Sequence, residues 1–448
     1  MKTQEICKDI IDNLLLLSRN LVSDDFEKSL DYLKSYVPLK VHRYKTGEAC
    51  WTWNIPPKWI LRDAHIKHGN RILVSSEDHP LHVMCYSQAI RRSMSGKELL
   101  GHIYTHKEIP EAIPYEFSFY IKKWGFCLTQ KQKEQIHAEE EYEILIDSEF
   151  KEDYLSVGQY TIKGKSQEHI FLLSHLDHPC QANDGLTGVA VNVALAKLLE
   201  KEKDLYYNYT FLFLPETIGS IAFLSHNENL ISKTRYSIFN EMVGLNNPLI
   251  VQRSYKDQGL VNQYAEMVLK NLQGQAKSYP YLSVAGNDEK VFNSPGVNVP
   301  SISLTRVDQE VRLRKISQDG KLDLGFPYPQ YHSNLDNLDL INEEAVEGAV
   351  DALYSLCQVV EKDFIPKRRF KGLIFLTKYN LWVDWRKDLK MSDQIMWLMY
   401  YLEGDKTAFQ IANELGLNFE SVVELLEKLY KNKLITKKRI PIEFDRSS

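Results

Sequence analysis

Between residues 155 and 362, short apolar runs alternate with longer stretches of helical periodicity, and few architectures accommodate that pattern. The runs IFLLSHL (170–176), YTFLFLP (209–215), YSIFNEM (236–242) and SISLTR (301–306) read as buried strands. Strands of this kind are covered on both faces, as in a sheet sandwiched between helices. The intervening segments LTGVAVNVALAKLLEKE (186–202), GLVNQYAEMVLKNLQ (259–273) and INEEAVEGAVDALYSLCQVVEK (341–362) supply those helices. The expected fold is α/β, with a doubly wound, mostly parallel sheet.

A chain of 448 residues exceeds what one core usually organises. Residues 1–50 open with an amphipathic helix (Ile6, Ile10, Leu14, Leu17) and are assigned, with 151–365, to the α/β domain. Residues 51–150 are aromatic-rich short runs broken by Pro and Gly, which predicts an inserted β-rich domain. Pro366 and the basic group Lys367, Arg368, Arg369 and Lys371 read as a linker. Beyond it, three helical segments and a short strand, with Gly416 at the second turn, resemble a winged helix-turn-helix over 366–448.

Composition excludes several functions. Lys and Arg number 55 against 60 Asp and Glu, a net charge of −5, so no global positive field gathers nucleic acid or an anionic membrane. The presumptive recognition helix carries Glu420, Glu424 and Glu427 against Lys428 and Lys431, which points to packing or homo-oligomer contacts instead of DNA. The longest apolar run near the N-terminus is Leu14 to Leu17, too short for a signal peptide or a membrane span. Six cysteines without a C-x-x-C fit a reducing compartment, and the expected location is cytoplasmic.

The chemistry concentrates in SHLDHPCQANDGLTG (174–188). His175 and Asp177 stand at the carboxyl end of a strand, where open α/β sheets bind ligands, and Asp184 follows in a loop entering a helix. Imidazole and carboxylate are ligands that zinc accepts, and Asp177 has two roles open to it: fixing the His175 ring, or capping the strand end. Glu216 and Glu241 close the next two apolar runs, and carboxylates so placed need a polar cleft or a cation. His332 lies in the Pro- and Tyr-rich loop YPYPQYHSNLDN. His178 and Cys180 read as a loop and a packing residue.

Taken in order, His175, Asp184, Glu216, Glu241 and His332 resemble the zinc aminopeptidases, whose domain is a doubly wound α/β sandwich. WGFCL (124–128), LHVMCYS (81–87) and LTR with YHSNLDN resemble, more narrowly, a bacterial aminopeptidase-like family of unassigned function with an inserted β-domain and a C-terminal winged helix. The resemblance implies a zinc-dependent hydrolase acting on an N-terminal peptide bond or related amide. One departure matters: the two-metal enzymes carry a Glu-Glu pair where this chain reads Glu216-Thr217, so one zinc per chain is expected, held by His175, Asp184 and Glu241. His332 joins that metal or meets substrate. Glu216 acts as the general base and Asp177 orients His175, with Asp336 a weaker candidate for the same service.

Arg306, Asp288 and Tyr331 are the candidates for touching substrate. Arg306 could clamp a carboxylate or pair with Asp308, and Asp288 could meet an amine or cap a solvated turn. Three rival readings stand beside the peptidase: an amidohydrolase or deacylase on a sugar or other metabolite, a degenerate scaffold, and a DNA-binding regulator.

Overall fold

The structure is a computed structural model describing residues 2–310, 325–387 and 389–442. It divides into two compact units, Met1–Tyr354 and Ser355–Glu443.

The first unit is built on an eight-stranded mixed sheet in the order Lys40–Lys45, Tyr154–Ile162, Asn208–Leu214, His169–His175, Thr234–Asn240, Ser301–Thr305, Ile250–Gln252, Lys277–Tyr279. The four central strands are parallel neighbours, and antiparallel pairings flank them on both sides. The four apolar runs of the sequence are these central strands, and Asn208–Leu214 and Thr234–Asn240 are buried throughout. The helix Thr187–Leu199 is buried on nearly every side, as its predominantly apolar composition requires. The helix Thr3–Leu14 packs against it. The expectation of a mostly parallel sheet thus holds for the centre, while the edges are antiparallel or short.

Residues 51–150 supply a separate antiparallel sheet in the order Arg71–Ser75, Lys58–His68, Glu141–Lys151, Ile90–Ser95. Alternating burial along Glu141–Lys151 marks it as one-sided. Its buried side chains, among them Trp59, Ile66 and Ile144, join Phe171, Leu173 and Leu212 of the central sheet in one hydrophobic cluster. From this segment a strap reaches the His332 loop: Tyr115 N–H donates to the His332 carbonyl at 2.7 Å, and Ile113 N–H to Asn334 Oδ1 at 2.8 Å.

In the second unit the helices Leu389–Tyr400, Ala408–Glu414 and Phe419–Lys431 are followed by the strand Ile435–Lys438. Gly416 makes the turn before the third helix with φ +60°, a conformation glycine adopts without a Cβ penalty. The stretch read as a linker is itself a strand: Ile365–Arg368 pairs antiparallel with Ile435–Lys438, and on its other edge Lys367 bridges to Glu403 and Arg368 N–H donates to the Leu402 carbonyl at 2.7 Å. Lys437 pairs with Glu427, Lys362 with Glu420 and Arg368 with Glu403, so much of the basic character of this unit is locally neutralised. No helix among the described residues is long and apolar enough to cross a membrane.

Candidate metal centre

Where the central strands end, their last residues turn polar. His175 is the final residue of its strand, Glu216 lies two residues beyond Leu214, and Glu241 directly follows Asn240. Adjacent parallel strands in register therefore deliver one imidazole and two carboxylates to one edge of the sheet. Asp184 comes from the loop after His175. Gly185 turns that loop back with φ +113°, and a Cβ there would stand 3.1 Å from the His175 ring, so only glycine permits the approach.

His175 Nε2 lies 3.4 Å from Asp184 Oδ1 and 3.5 Å from Glu241 Oε2. The other oxygen of Asp184, Oδ2, is 3.1 Å from His178 Nδ1 and 3.0 Å from His332 Nε2. His178 Nε2 in turn is 3.1 Å from Glu216 Oε2. One ligand atom each from His175, His178 and Asp184 lies within 4.8 Å of the others. Asp177 accepts the Glu216 N–H at 2.9 Å and stands 3.6 Å from His175 Nδ1, an ion-pair separation instead of a hydrogen bond. It ties the strand end of His175 to the loop of Glu216.

The backbone around these groups is strained. Eleven non-glycine residues among those described have positive φ, and five belong to this site: His178, Cys180, His332, Thr217 beside Glu216, and Met242 beside Glu241. Such conformations cost of order 1–3 kcal/mol each and persist where the surroundings enforce them. Arg19 is one enforcer. Fully buried, it donates from Nε to the Leu176 carbonyl at 2.8 Å and from Nη2 to the His178 carbonyl at 2.7 Å, with further bonds to Gln181 and Leu14. Burial brings its pKa down to about 10, so it stays charged at neutral pH. Asp336 is another, accepting the N–H groups of Asn183 at 2.7 Å and Asp184 at 3.0 Å and the Tyr328 hydroxyl at 2.8 Å.

The electrostatics ask for a cation. Four carboxylates (Asp177, Asp184, Glu216, Glu241) face three imidazoles, and His175, Asp177, Asp184 and Glu241 are at most 1% exposed. Burial alone would depress His175, yet Asp177, Asp184 and Glu241 raise it well above the usual imidazole range. His178 is likewise depressed by burial but lifted to about 10 by Asp184 and Asp177. Asp184, despite burial, is held well below the carboxylate range by the three histidines. Glu241 is pushed up by burial, with Asp184 and Glu216 adding to it. Both ring nitrogens of His175, Asp177 Oδ2, Glu241 Oε1 and His332 Nε2 are buried without a hydrogen-bond partner. Two donors each about 2.0–2.2 Å from zinc at tetrahedral angles stand roughly 3.3–3.5 Å apart, which matches the separations around His175 Nε2 better than hydrogen bonding does. The donor set fits zinc.

Of the residues singled out in the sequence, His175, Asp177, Asp184, Glu216, Glu241 and His332 come together. Tyr331 stacks on the His332 ring, centroids 3.9 Å apart, and so fixes that ring. Asp288 is fully buried, neither a solvated turn nor an open amine site: its Oδ1 accepts the Thr217 N–H at 3.0 Å and the Ser220 hydroxyl at 2.5 Å, and burial raises it to about 7. It holds the strained Thr217 in place. Arg306 pairs neither with Asp308 nor with the cluster, since its terminal nitrogens donate to the carbonyls of Asn247 and Ala345. Cys180 is a buried thiol raised to about 11, in keeping with packing. Two residues escaped sequence reading: Arg19, and His178, which the sequence presents as a loop histidine and the structure turns inward at 3% exposure. The signals were Thr217, a missing carboxylate that some nearby ligand could replace, and the His-Pro doublet at the strand end.

Comparison with known proteins bears on the family and the fold. A protein of Clostridium acetobutylicum, assigned provisionally as a polysaccharide biosynthesis protein with an aminopeptidase-like domain, is 27% identical over 442 residues, 95% of each chain. A crystal structure of a provisionally assigned peptidase from the same organism superposes with a TM-score of 0.83 at 26% identity, covering 97% of both chains. A zinc aminopeptidase of Bacillus subtilis shares the fold at a TM-score of 0.57 and 12% identity, over 79% of this chain and 93% of its own. The family model described as a domain of unknown function (DUF4910) matches residues 8–363, and the chain, an α/β protein of the zinc-aminopeptidase fold, belongs to that family.

Proposed function

We propose that the protein is a zinc-dependent hydrolase of aminopeptidase type, cleaving an N-terminal peptide bond or a related amide. The observation that carries this reading is the placement of Asp184 Oδ1 and Glu241 Oε2 at 3.4 and 3.5 Å from His175 Nε2, a buried nitrogen without a hydrogen-bond partner, at separations that suit ligands of one metal ion. His175, Asp184 and Glu241 would hold the ion. Zinc, when bound, polarises a carbonyl and makes a neighbouring water acidic near neutral pH.

The remaining chemistry belongs to the chain. Glu216 has 24% of its side chain exposed and His332 19%, so these two face the open side while the rest are enclosed. Glu216, held below the usual carboxylate range by His178 despite burial, is ionised at neutral pH. It accepts the proton of the attacking water at Oε and delivers it to the leaving nitrogen, as the C–O bond forms and the C–N bond breaks. Its backbone is pinned by Asp177 at the Glu216 N–H and by Asp288 one residue on. Tyr115, 5.0 Å from His332 between ring centroids, and Phe117, at 6.2 Å, line the same side with aromatic surface.

A second reading has one observation in its favour. The Clostridium relative is assigned to polysaccharide biosynthesis, and the same water chemistry serves an amide carried on an amino sugar. Glu216→Gln tests both, assayed against N-terminal aminoacyl amides and N-acyl amino sugars. Zinc content should stay as in the parent while turnover falls about 10²- to 10⁴-fold. Loss of metal, or unchanged turnover, refutes the assignment of the base.

A further inference from the structure

The segment WTW at 51–53 has no part in the strand-end cluster, and the fold leaves both of its indoles partly uncovered. Ala49–Cys50 and Trp53–Asn54 pair as a small antiparallel hairpin whose two-residue turn is Trp51 and Thr52. Tight hairpin turns call for positive φ, which glycine supplies without penalty, yet Trp51 takes φ +51°. A bulky residue in that conformation is costly, and the burial that would offset it is incomplete: Trp51 is 41% exposed and Trp53 40%. Both rings are nevertheless held. The Trp51 indole N–H donates to Glu228 Oε1 at 2.8 Å, and Trp53 meets Tyr120 edge-on at 5.9 Å between centroids. The Tyr120 hydroxyl donates to the Asn54 carbonyl at 2.9 Å, which fastens the hairpin.

Trp51 and Trp53 line a cleft of about 870 Å³, within the range of small-molecule sites. Thr217 lines it too, so the cleft reaches to one residue from Glu216. Its polar lining includes Ser294 and Asn298. Among the described residues two charged side chains line it, and both are engaged: Glu228 by the Trp51 indole, and Lys290 by the Gly286 carbonyl.

Indole surface beside hydroxyl and amide groups, with the charges committed, suits a neutral ring with one apolar face. A pyranose is such a ring: its C–H face stacks on an aromatic side chain while its rim of hydroxyls takes hydrogen bonds. An extended peptide docks instead by main-chain bonds along a sheet edge, and the strand that carries Trp53 into this cleft is only two residues long. We propose that the cleft binds a neutral saccharide stacked on Trp51 and Trp53, as the part of the substrate remote from the scissile amide. Binding depends on the cleft alone, and only its service to catalysis rests on the hydrolase reading.

Isothermal titration calorimetry tests it on the full-length protein carrying Glu216→Gln, so that turnover adds no heat, with tri-N-acetylchitotriose and maltotriose as the saccharides and tetra-alanine as the peptide. At least one saccharide should bind. Adding Trp53→Ala should weaken that binding about tenfold or more, Trp53→Phe should restore part of it, and Trp51→Ala should weaken it similarly. The two Trp53 variants keep the test decisive if Trp51→Ala unsettles the hairpin. Failure of both saccharides to bind, or saccharide affinity unchanged in Trp53→Ala, overturns the proposal. So does a loss in Trp53→Ala confined to tetra-alanine, which would make the cleft a peptide site. Saccharide binding that falls with Trp53, in a protein whose parent form hydrolyses neither N-acyl amino sugars nor aminoacyl amides, upholds the cleft and removes the hydrolase reading.

Discussion

The two sides of Asp184 differ in depth. Behind it, His175 and Glu241 are sealed at no more than 1% exposure, with Asn287 donating to Glu241 and Gly185 pressed against the imidazole. In front, Glu216 and His332 are open to solvent on one face, and aromatic rings stand beside them. Solvent reaches the second set and not the first. Residues that hold an ion can be buried completely, because their partner comes once; residues that exchange protons with substrate must keep one face free. On the proposed reading, the difference separates roles that the residue types alone leave ambiguous, since both sides are made of His, Asp and Glu.

That contrast is open to attack at several points. The largest effect is expected from His175→Ala on the deep side: zinc bound at its own site should fall below detection after desalting, and activity with it. Retained metal and activity would place the holding role at the mouth instead. Asp177→Asn touches both sides, because Asp177 accepts the Glu216 N–H and flanks His175 Nδ1. A loss of about 10- to 100-fold in zinc affinity or turnover is expected; an effect on turnover alone would show that its service is to Glu216.

Arg19→Ala strips a buried cation from several carbonyls beneath the His178 loop. Destabilisation of about 3 kcal/mol is expected from chemical denaturation, and zinc added in excess should recover part of it. A neutral result would mean that the loop holds its strained shape without this anchor. The smallest effect concerns Glu289, behind the deep side, which accepts from Gln252 at 3.0 Å and is raised to about 8, chiefly by burial and next by Glu241. The folded state then binds more protons than the unfolded one between roughly pH 4.5 and 8, so stability falls as pH rises through that window. Glu289→Gln should flatten the slope of the transition midpoint against pH, and an unchanged slope would assign it to other groups.

The fold was legible because its central strands are buried on both faces and two of them, in IFLLSHL and YTFLFLP, announce themselves as nearly continuous apolar runs. His169–His175 and Asn208–Leu214 lie within one residue of their sequence readings. The flanks were not. Ile250–Gln252 and Lys277–Tyr279 are three residues each, too short for any periodicity, and Ile365–Arg368 hides behind a proline and basic residues that usually mark linkers. Within the site, strand ends marked His175, Glu216 and Glu241, whereas Asp184 and His332 lie in loops and were picked out by loop composition and by the order they share with the zinc aminopeptidases. His178 was lost because its direction depends on a left-handed φ that a single sequence does not encode. Asp288 and Arg306 were misread for a related reason: a charged side chain offered to a substrate and one committed to a backbone look alike until the chain around them is folded.

The central claim is that a cation sits among the strand-end ligands. Diffraction from crystals of zinc-loaded protein at the zinc absorption edge tests it most directly. The account predicts an anomalous peak within coordination distance of His175 Nε2, Asp184 Oδ1 and Glu241 Oε2. Anomalous density absent from that position, with His175 hydrogen-bonded to the carboxylates instead, would contradict it.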